Sequence, residues 1–167
     1  KIIEQEIKRS RKKSANNELK LTPEATKLSN NFESNKGMLP WPVAKGLIIK
    51  LYGKQSHTVF KSVQTFNNGI DIATEKDTDV RSVFDGTVSR IFFIKGEGKA
   101  ILISHGDYYT VYSGLKNIIV EQGEEVLLNE KLGTVITKEN ENLSELHFEI
   151  WKGYNKKNPS DWLLDAY

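Results

Sequence analysis

Beyond Gly46 the chain carries no helical periodicity of useful length. Its apolar residues fall instead into short β-branched and aromatic runs, Leu47 to Leu51, Gly86 to Ile94, Ala100 to Ser104, Tyr108 to Tyr112 and Leu146 to Trp151, separated by Gly, Asn and Asp. This spacing predicts a mainly β fold, a compact antiparallel β-sheet domain, rather than alternating β and α units. Val120-Glu121-Gln122-Gly123-Glu124-Glu125-Val126 and Lys131-Leu132-Gly133-Thr134-Val135 set apolar residues around glycine turns, with the valines and leucine expected to plug the core.

The residues before Gly46 follow different rules. Ile2, Ile3 and Ile7, followed by Lys8, Arg9, Arg11, Lys12 and Lys13, read as a short amphipathic helix, either the tail of a coiled coil or a solvated helix end. Thr22-Pro23-Glu24 starts a second helix, because Thr can cap and Pro at the first helical position forfeits no intrahelical hydrogen bond. Ala25, Leu28 and Phe32 give that helix one apolar face, and Gly37 is its expected stop. Pro40 and Pro42 then force an extended path. The division expected is a helical segment over 1–37 and a β domain over 38–167, the mainly β domain being preceded by short α-helices.

Composition removes several chemistries. None of the 167 residues is cysteine, so disulfides, thiolate nucleophiles and cysteine-ligated metals are excluded, and a metal site has only His57, His105, His147 and carboxylates or backbone oxygens to draw on. Basic and acidic residues number 24 and 22, a near balance that is not the footprint of a nucleic-acid binder. Residues 1–37 hold nine of the basic residues against five Glu, so the basic excess lies at the N-terminus. The chain opens on Lys1, a start compatible with a removed export signal or with further chain upstream.

Several segments, in order, carry a resemblance: Asn67-Asn68-Gly69-Ile70-Asp71-Ile72, Asp85-Gly86-Thr87-Val88, Ile101 to Leu115, Glu145-Leu146-His147-Phe148-Glu149-Ile150, and Asn158 to Leu163. Together they resemble the lysostaphin/LytM-type zinc peptidase domain, whose fold is duplicated-hybrid-motif-like, across roughly residues 40–165. The glycine-turn segment also has the spacing of biotinyl and lipoyl carriers, but no lysine stands in the Asp-Lys-Ala or Met-Lys-Met setting those domains modify. In active LytM members a histidine, an aspartate four residues later and the second histidine of a His-x-His pair hold zinc, and two further histidines assist. Three protein ligands leave an open position for water or the scissile carbonyl. Here Asn67 stands at the first ligand position, Asp71 and His147 are retained, and Gly114 and Glu145 stand where the assisting histidines are expected. His105 matches a family histidine that is not catalytic, and His57 has no assigned role.

This pattern of loss resembles the EnvC-like murein hydrolase activators, a branch with a degenerate LytM domain. The resemblance implies no enzymatic activity, no cofactor and no metal, with Asp71 and His147 as remnant positions that alternatively form a buried hydrogen-bonded pair supporting the fold. It implies docking of an N-acetylmuramoyl-L-alanine amidase in the former groove during septal peptidoglycan splitting, and an FtsEX-type division complex as partner of an upstream coiled coil. It also implies contact with peptidoglycan and a setting in the periplasm of a Gram-negative bacterium. The expected groove comprises Asn67, Asn68, Asp71, Gly114, Glu145 and His147, with Tyr112 and Trp151 as anchors and Trp162 as a packing residue. Loss of an imidazole at Gly114 would open room for a partner helix, and helices adjoining the domain would be placed to cover the groove. The alternatives are a divergent zinc metalloendopeptidase and a peptidoglycan-binding module.

Overall fold

The computed structural model describes residues 2–14, 22–56, 64–138 and 141–166, and His57 lies outside them. Two helices lead, α1 (Ile2–Ser14) and α2 (Pro23–Ser34). Twelve strands follow: β1 (Leu47–Lys50), β2 (Gly53–Ser56), β3 (Gln64–Asn67), β4 (Ile70–Thr74), β5 (Asp79–Arg81), β6 (Gly86–Ile94), β7 (Gly98–His105), β8 (Tyr108–Lys116), β9 (Glu125–Val126), β10 (Lys131–Val135), β11 (Ser144–Lys152) and β12 (Asn155–Lys157). Among the described residues the main sheet runs β1-β4-β11-β8-β7-β6-β9 with every pairing antiparallel, so the expected mainly β architecture is the one observed. β10 joins β8 to β5, β12 extends along β11, and β2 and β3 form a separate ribbon.

Strand alternation sorts the side chains into two faces. Ile70 and Ile72 of β4, Leu146, Phe148 and Ile150 of β11, Tyr108 and Tyr112 of β8, and Ile101 and Ile103 of β7 point into one buried core. Val120, Val126, Leu132 and Val135 close that core from the glycine-turn segment. The opposite face carries Asp71, Glu145, His147, Glu149, Trp151, Tyr109, Val111, Ser113, Ala100 and Leu102.

Each helix covers a different surface. The α1 helix places Ile3 and Ile7 on Ile94, Ala100, Leu102, Tyr109, Val111 and Trp151, a second apolar cluster on the His147 face. Its buried Glu6 takes Arg90 Nε at 2.9 Å and Arg9 Nη1 at 3.1 Å, and Arg11 pairs with Asp107. The α2 helix starts where its sequence says: Thr22 Oγ1 accepts the Ala25 N–H at 3.1 Å, ahead of Pro23. It ends at Ser34, before Gly37, whose positive φ of 84° turns the chain toward the Trp162 carbonyl. Phe32, fully buried, lies 4.8 Å from His105, 4.8 Å from Tyr108 and 5.1 Å from Trp162, ring to ring. The strap after Gly37 pairs Leu39 with Leu163, and Trp41 Nε1 donates to the Leu164 carbonyl at 2.8 Å.

His105 sits beneath Phe32 as a neutral ring. Its Nδ1 lies 2.7 Å from the Asp85 carbonyl and its Nε2 2.8 Å from Thr110 Oγ1. Complete burial pulls its pKa down to about 4 against the partial compensation of the Asp85 carbonyl. Below about pH 6.5 the unfolded chain takes up a proton that the folded ring refuses, so stability falls as pH drops from about 6.5 to about 4, by up to about 3 kcal/mol. Urea midpoints across that window read the slope, and a flat profile would contradict the buried neutral ring. Phe32→Ala, which empties the junction between α2 and the sheet, is expected to cost about 3–5 kcal/mol in the same measurement.

Candidate functional site

Register alone assembles the site. Lys50 lies opposite Asp71, Asp71 opposite His147, and His147 opposite Ser113, so one transverse row across β1, β4, β11 and β8 collects residues far apart in sequence. An irregularity at Ile49 brings Lys50 into that row. Around the row is an open cleft of about 190 Å³, lined also by Glu97, Gly114, Glu141, Ser144 and Glu145.

At its floor the charged side chains are committed to one another, while the buried Ser113 Oγ beside them has no side-chain or backbone partner among the described residues. His147 Nδ1 donates to Asp71 Oδ1 at 2.5 Å and Nε2 donates to Glu149 Oε2 at 2.6 Å. The second oxygen of Glu149 accepts the Trp151 indole N–H at 2.7 Å, and Lys50 Nζ stands 3.8 Å from Asp71 Oδ2. Burial by itself would disfavour the charged imidazole, but the hydrogen bonds and charges of Asp71 and Glu149 outweigh it and raise its pKa to about 10. The ring is therefore an imidazolium held between two carboxylates at neutral pH. The sequence-based pair of Asp71 and His147 is in place, while Glu149 was missed although it lies two residues along the same strand, where period-2 alternation returns to the same face.

Other expected groove residues are placed differently. Asp71, Gly114, Glu145 and His147 line the cleft. Tyr112 does not: it is fully buried in the core on the other face, where its hydroxyl accepts the Val83 N–H at 3.0 Å. The reason is parity, since Ser113 is the β8 residue opposite His147 and its neighbour must face away. Trp151 shares the face of His147 but is buried under Ile3 and Ile7, so it anchors α1 and offers no open surface. Asn67 ends β3, opposite Gly53, and Asn68 lies in the turn to β4. The Asn67 amide is spent locally, Nδ2 donating to the Leu51 carbonyl at 3.2 Å and Oδ1 accepting the Gly69 N–H at 3.3 Å. Gly114 has φ +88° at a register shift between β7 and β8, and an added Cβ would stand 3.2 Å from the Glu145 carbonyl. Its glycine thus meets a backbone requirement as well as leaving space. No described α1 residue lines the cleft.

These donors do not fit a zinc ion. Two ligands on one tetrahedral zinc, each at about 2.0–2.2 Å, stand roughly 3.3 Å apart. Asp71 Oδ1 and His147 Nδ1 are 2.5 Å apart with a proton between them, and Nε2 is engaged by Glu149. Neither ring nitrogen has a free lone pair, and among the described residues no three His, Asp or Glu side chains are arranged around a metal position.

Comparison with known proteins places this geometry in context. A family model described as Peptidase family M23 matches residues 65–159. The cell division protein DipM of Caulobacter vibrioides is 31% identical over 70% of this chain and 18% of its own length. The murein hydrolase activator EnvC of Escherichia coli is 25% identical over 77% of this chain and 29% of its own length. The crystal structure of a zinc-containing peptidase from Vibrio cholerae superposes with a TM-score of 0.64 at 26% identity, over 77% of this chain and 41% of that one. The chain thus spans under a third of the length of these two curated relatives.

The His147 network gives stability a second, alkaline dependence. With the folded pKa raised to about 10, the unfolded chain loses its proton first as pH rises. The contribution is complete below about pH 6.5 and is lost as pH climbs through about 10. Denaturation midpoints between pH 6.5 and 10 should fall in the wild type and fall less in His147→Gln. Equal slopes in the two proteins would contradict the imidazolium assignment.

Proposed function

The chain belongs to peptidase family M23, and from that premise we propose that it is a non-enzymatic activator of cell-wall N-acetylmuramoyl-L-alanine amidases in septal peptidoglycan splitting. The former active-site cleft serves as the docking surface. The observation that carries this reading is the commitment of both His147 nitrogens to Asp71 and Glu149, which supplies neither a metal ligand nor a free base. The absence of a histidine at Asn67, Gly114 and Glu145 supports it from the sequence side. Similarity to a protein named murein hydrolase activator supports a role in activating a cell-wall hydrolase, and the amidase as that hydrolase is part of the proposal.

Such an activator works by differential binding. A ligand shifts a conformational equilibrium only by the difference in its affinity for the two states, so the cleft must bind an amidase with its active site open better than one with it closed. Periplasmic location and linkage to an FtsEX-type complex through chain upstream belong to the same proposal.

The second reading, a divergent zinc endopeptidase, draws on the retained Asp71 and His147 and on likeness to the Vibrio cholerae zinc-containing peptidase. Dye release from labelled sacculi separates the two. The chain alone, with or without added zinc, should release nothing, and with a cognate amidase it should raise release severalfold. Tightly bound stoichiometric zinc together with sacculus cleavage that disappears in Asp71→Ala would sink the activator reading. Binding to sacculi without stimulation of any amidase would favour a plain peptidoglycan-binding module.

A further inference from the structure

The β9 strand closes only the first part of β6. Gly86 and Thr87 lie opposite Val126 and Glu125, and the last groups met are those of Val88, whose N–H donates to the Glu124 carbonyl at 2.8 Å and whose carbonyl accepts the Gly123 N–H at 2.7 Å. A register shift between Val88 and Arg90 follows. Beyond it the inner side of β6 stays paired with β7 as far as Ile94, and among the described residues no strand lies along the outer side. Burial agrees. Ala100, Ile101, Leu102 and Ile103 of β7 are fully buried, whereas Ser89, Arg90, Ile91 and Phe92 on β6 are half-buried and Phe93 is 69% exposed. The α1 helix rests on the face of the sheet and, being a helix, spends its backbone groups on itself.

Such an edge is a template for another strand, because its outward N–H and C=O groups point away from the sheet. Arg90-Ile91-Phe92-Phe93-Ile94 is β-prone along its length, and its one charge is taken by Glu6 of α1 at 2.9 Å. The opposite edge of the sheet is blunted instead: β1 carries an irregularity at Ile49 and ends on Lys50. The β6 segment is also close to symmetric about Phe92. Set antiparallel against a second copy, Phe92 stands beside its own counterpart and Ile91 beside Phe93, the aromatic and β-branched pairs that stabilise sheets. The surrounding charges complement one another. In that register the hairpin tip of one copy, residues 95–99, runs toward the turn of the other, residues 121–125, where β9 leaves β6. The tip carries Lys95, Glu97 and Lys99 and the turn carries Glu121, Glu124 and Glu125, all exposed, so a net positive tip meets three carboxylates.

We propose that the outer edge of β6 is a pairing site for a second copy of this chain, β6 against β6 antiparallel about Phe92, which joins two sheets into one across a two-fold axis. Residues 90–94 of each copy form the seam, about 17 Å long at about 3.4 Å per residue. Pairing satisfies the open backbone edge and covers Phe93, and it is steered by Lys95 of each copy meeting Glu124 of the other. The His147 strand is separated from β6 by β8 and β7, so the inference stands apart from the activator reading.

Sedimentation equilibrium of the full chain tests this, with hydrogen exchange to locate the seam. The wild type should dimerise reversibly, and amide exchange over residues 90–94 should slow as concentration rises. Phe93→Lys, at an exposed position that leaves the fold intact, should weaken the dimer by about tenfold or more, since an edge lysine blocks strand addition. Lys95→Glu and Glu124→Lys should each weaken self-association, because each sets like charges against one another at both ends of the seam. Mixed in equal amounts the two variants should associate again, since both ends then carry opposite charges. Melting temperatures confirm that every variant is folded. A wild type that stays monomeric at every concentration overturns the inference, as does a dimer that survives Phe93→Lys or protects a different segment. A monomer that nevertheless binds a synthetic peptide of residues 88–95 overturns self-pairing and makes the edge a site for a strand of another protein. Failure of the two charge variants to associate when mixed, while the wild type dimerises, rules out the register about Phe92.

Discussion

Side chains on β11 alternate between a dry core and a charged cleft, and this strand is paired along its length, by β4 and then β12 on one side and by β8 on the other. Leu146, Phe148 and Ile150 hold the sheet to the core, while Glu145, His147, Glu149 and Trp151 build the opposite face. A slip of one residue would exchange the two sets, putting three charged or titratable groups into the core. The hydrophobic pattern thus fixes the register, and the register fixes which polar groups meet. Asp71, His147 and Glu149 are neighbours because Leu146 and Phe148 are buried.

The polar row survives burial by balancing charge. An isolated buried carboxylate is expensive, and two side by side repel. Here an imidazolium between Asp71 and Glu149 supplies the positive charge, and the Trp151 indole and Lys50 ammonium occupy further carboxylate oxygens. The same chain of contacts reaches α1, since Trp151 bonds Glu149 on one side and packs beneath Ile3 and Ile7 on another. The basic N-terminal piece of the sequence is therefore part of the packed structure over its described residues, held by the Glu6–Arg90 and Arg11–Asp107 pairs.

The sequence made local features readable. Thr22 and Pro23 set the start of α2, the β-branched runs became strands, and the ordered motifs pointed to the family that residues 65–159 match. Asp71 and His147 were found because the motif spacing names them. What remained hidden depended on pairing between distant segments. Tyr112 looked like a groove aromatic until its parity relative to Ser113 put it in the core, and Trp151 had the right parity but lay under a helix far away in sequence. Gly114 read as a lost imidazole, whereas its positive φ at a register shift also demands glycine. Glu149 and Lys50 were visible only in part: alternation along β11 points to Glu149, but no local pattern announces the irregularity at Ile49 that aims Lys50 at Asp71.

The central claim is that His147 is committed to two carboxylates through both ring nitrogens. Nitrogen-15 NMR of the histidine rings at neutral pH tests it directly, before and after addition of excess zinc. The account predicts that His147 shows two protonated nitrogens, Nδ1 and Nε2, with shifts that zinc leaves in place. A His147 ring with one unprotonated nitrogen whose resonance moves on stoichiometric zinc binding would contradict it.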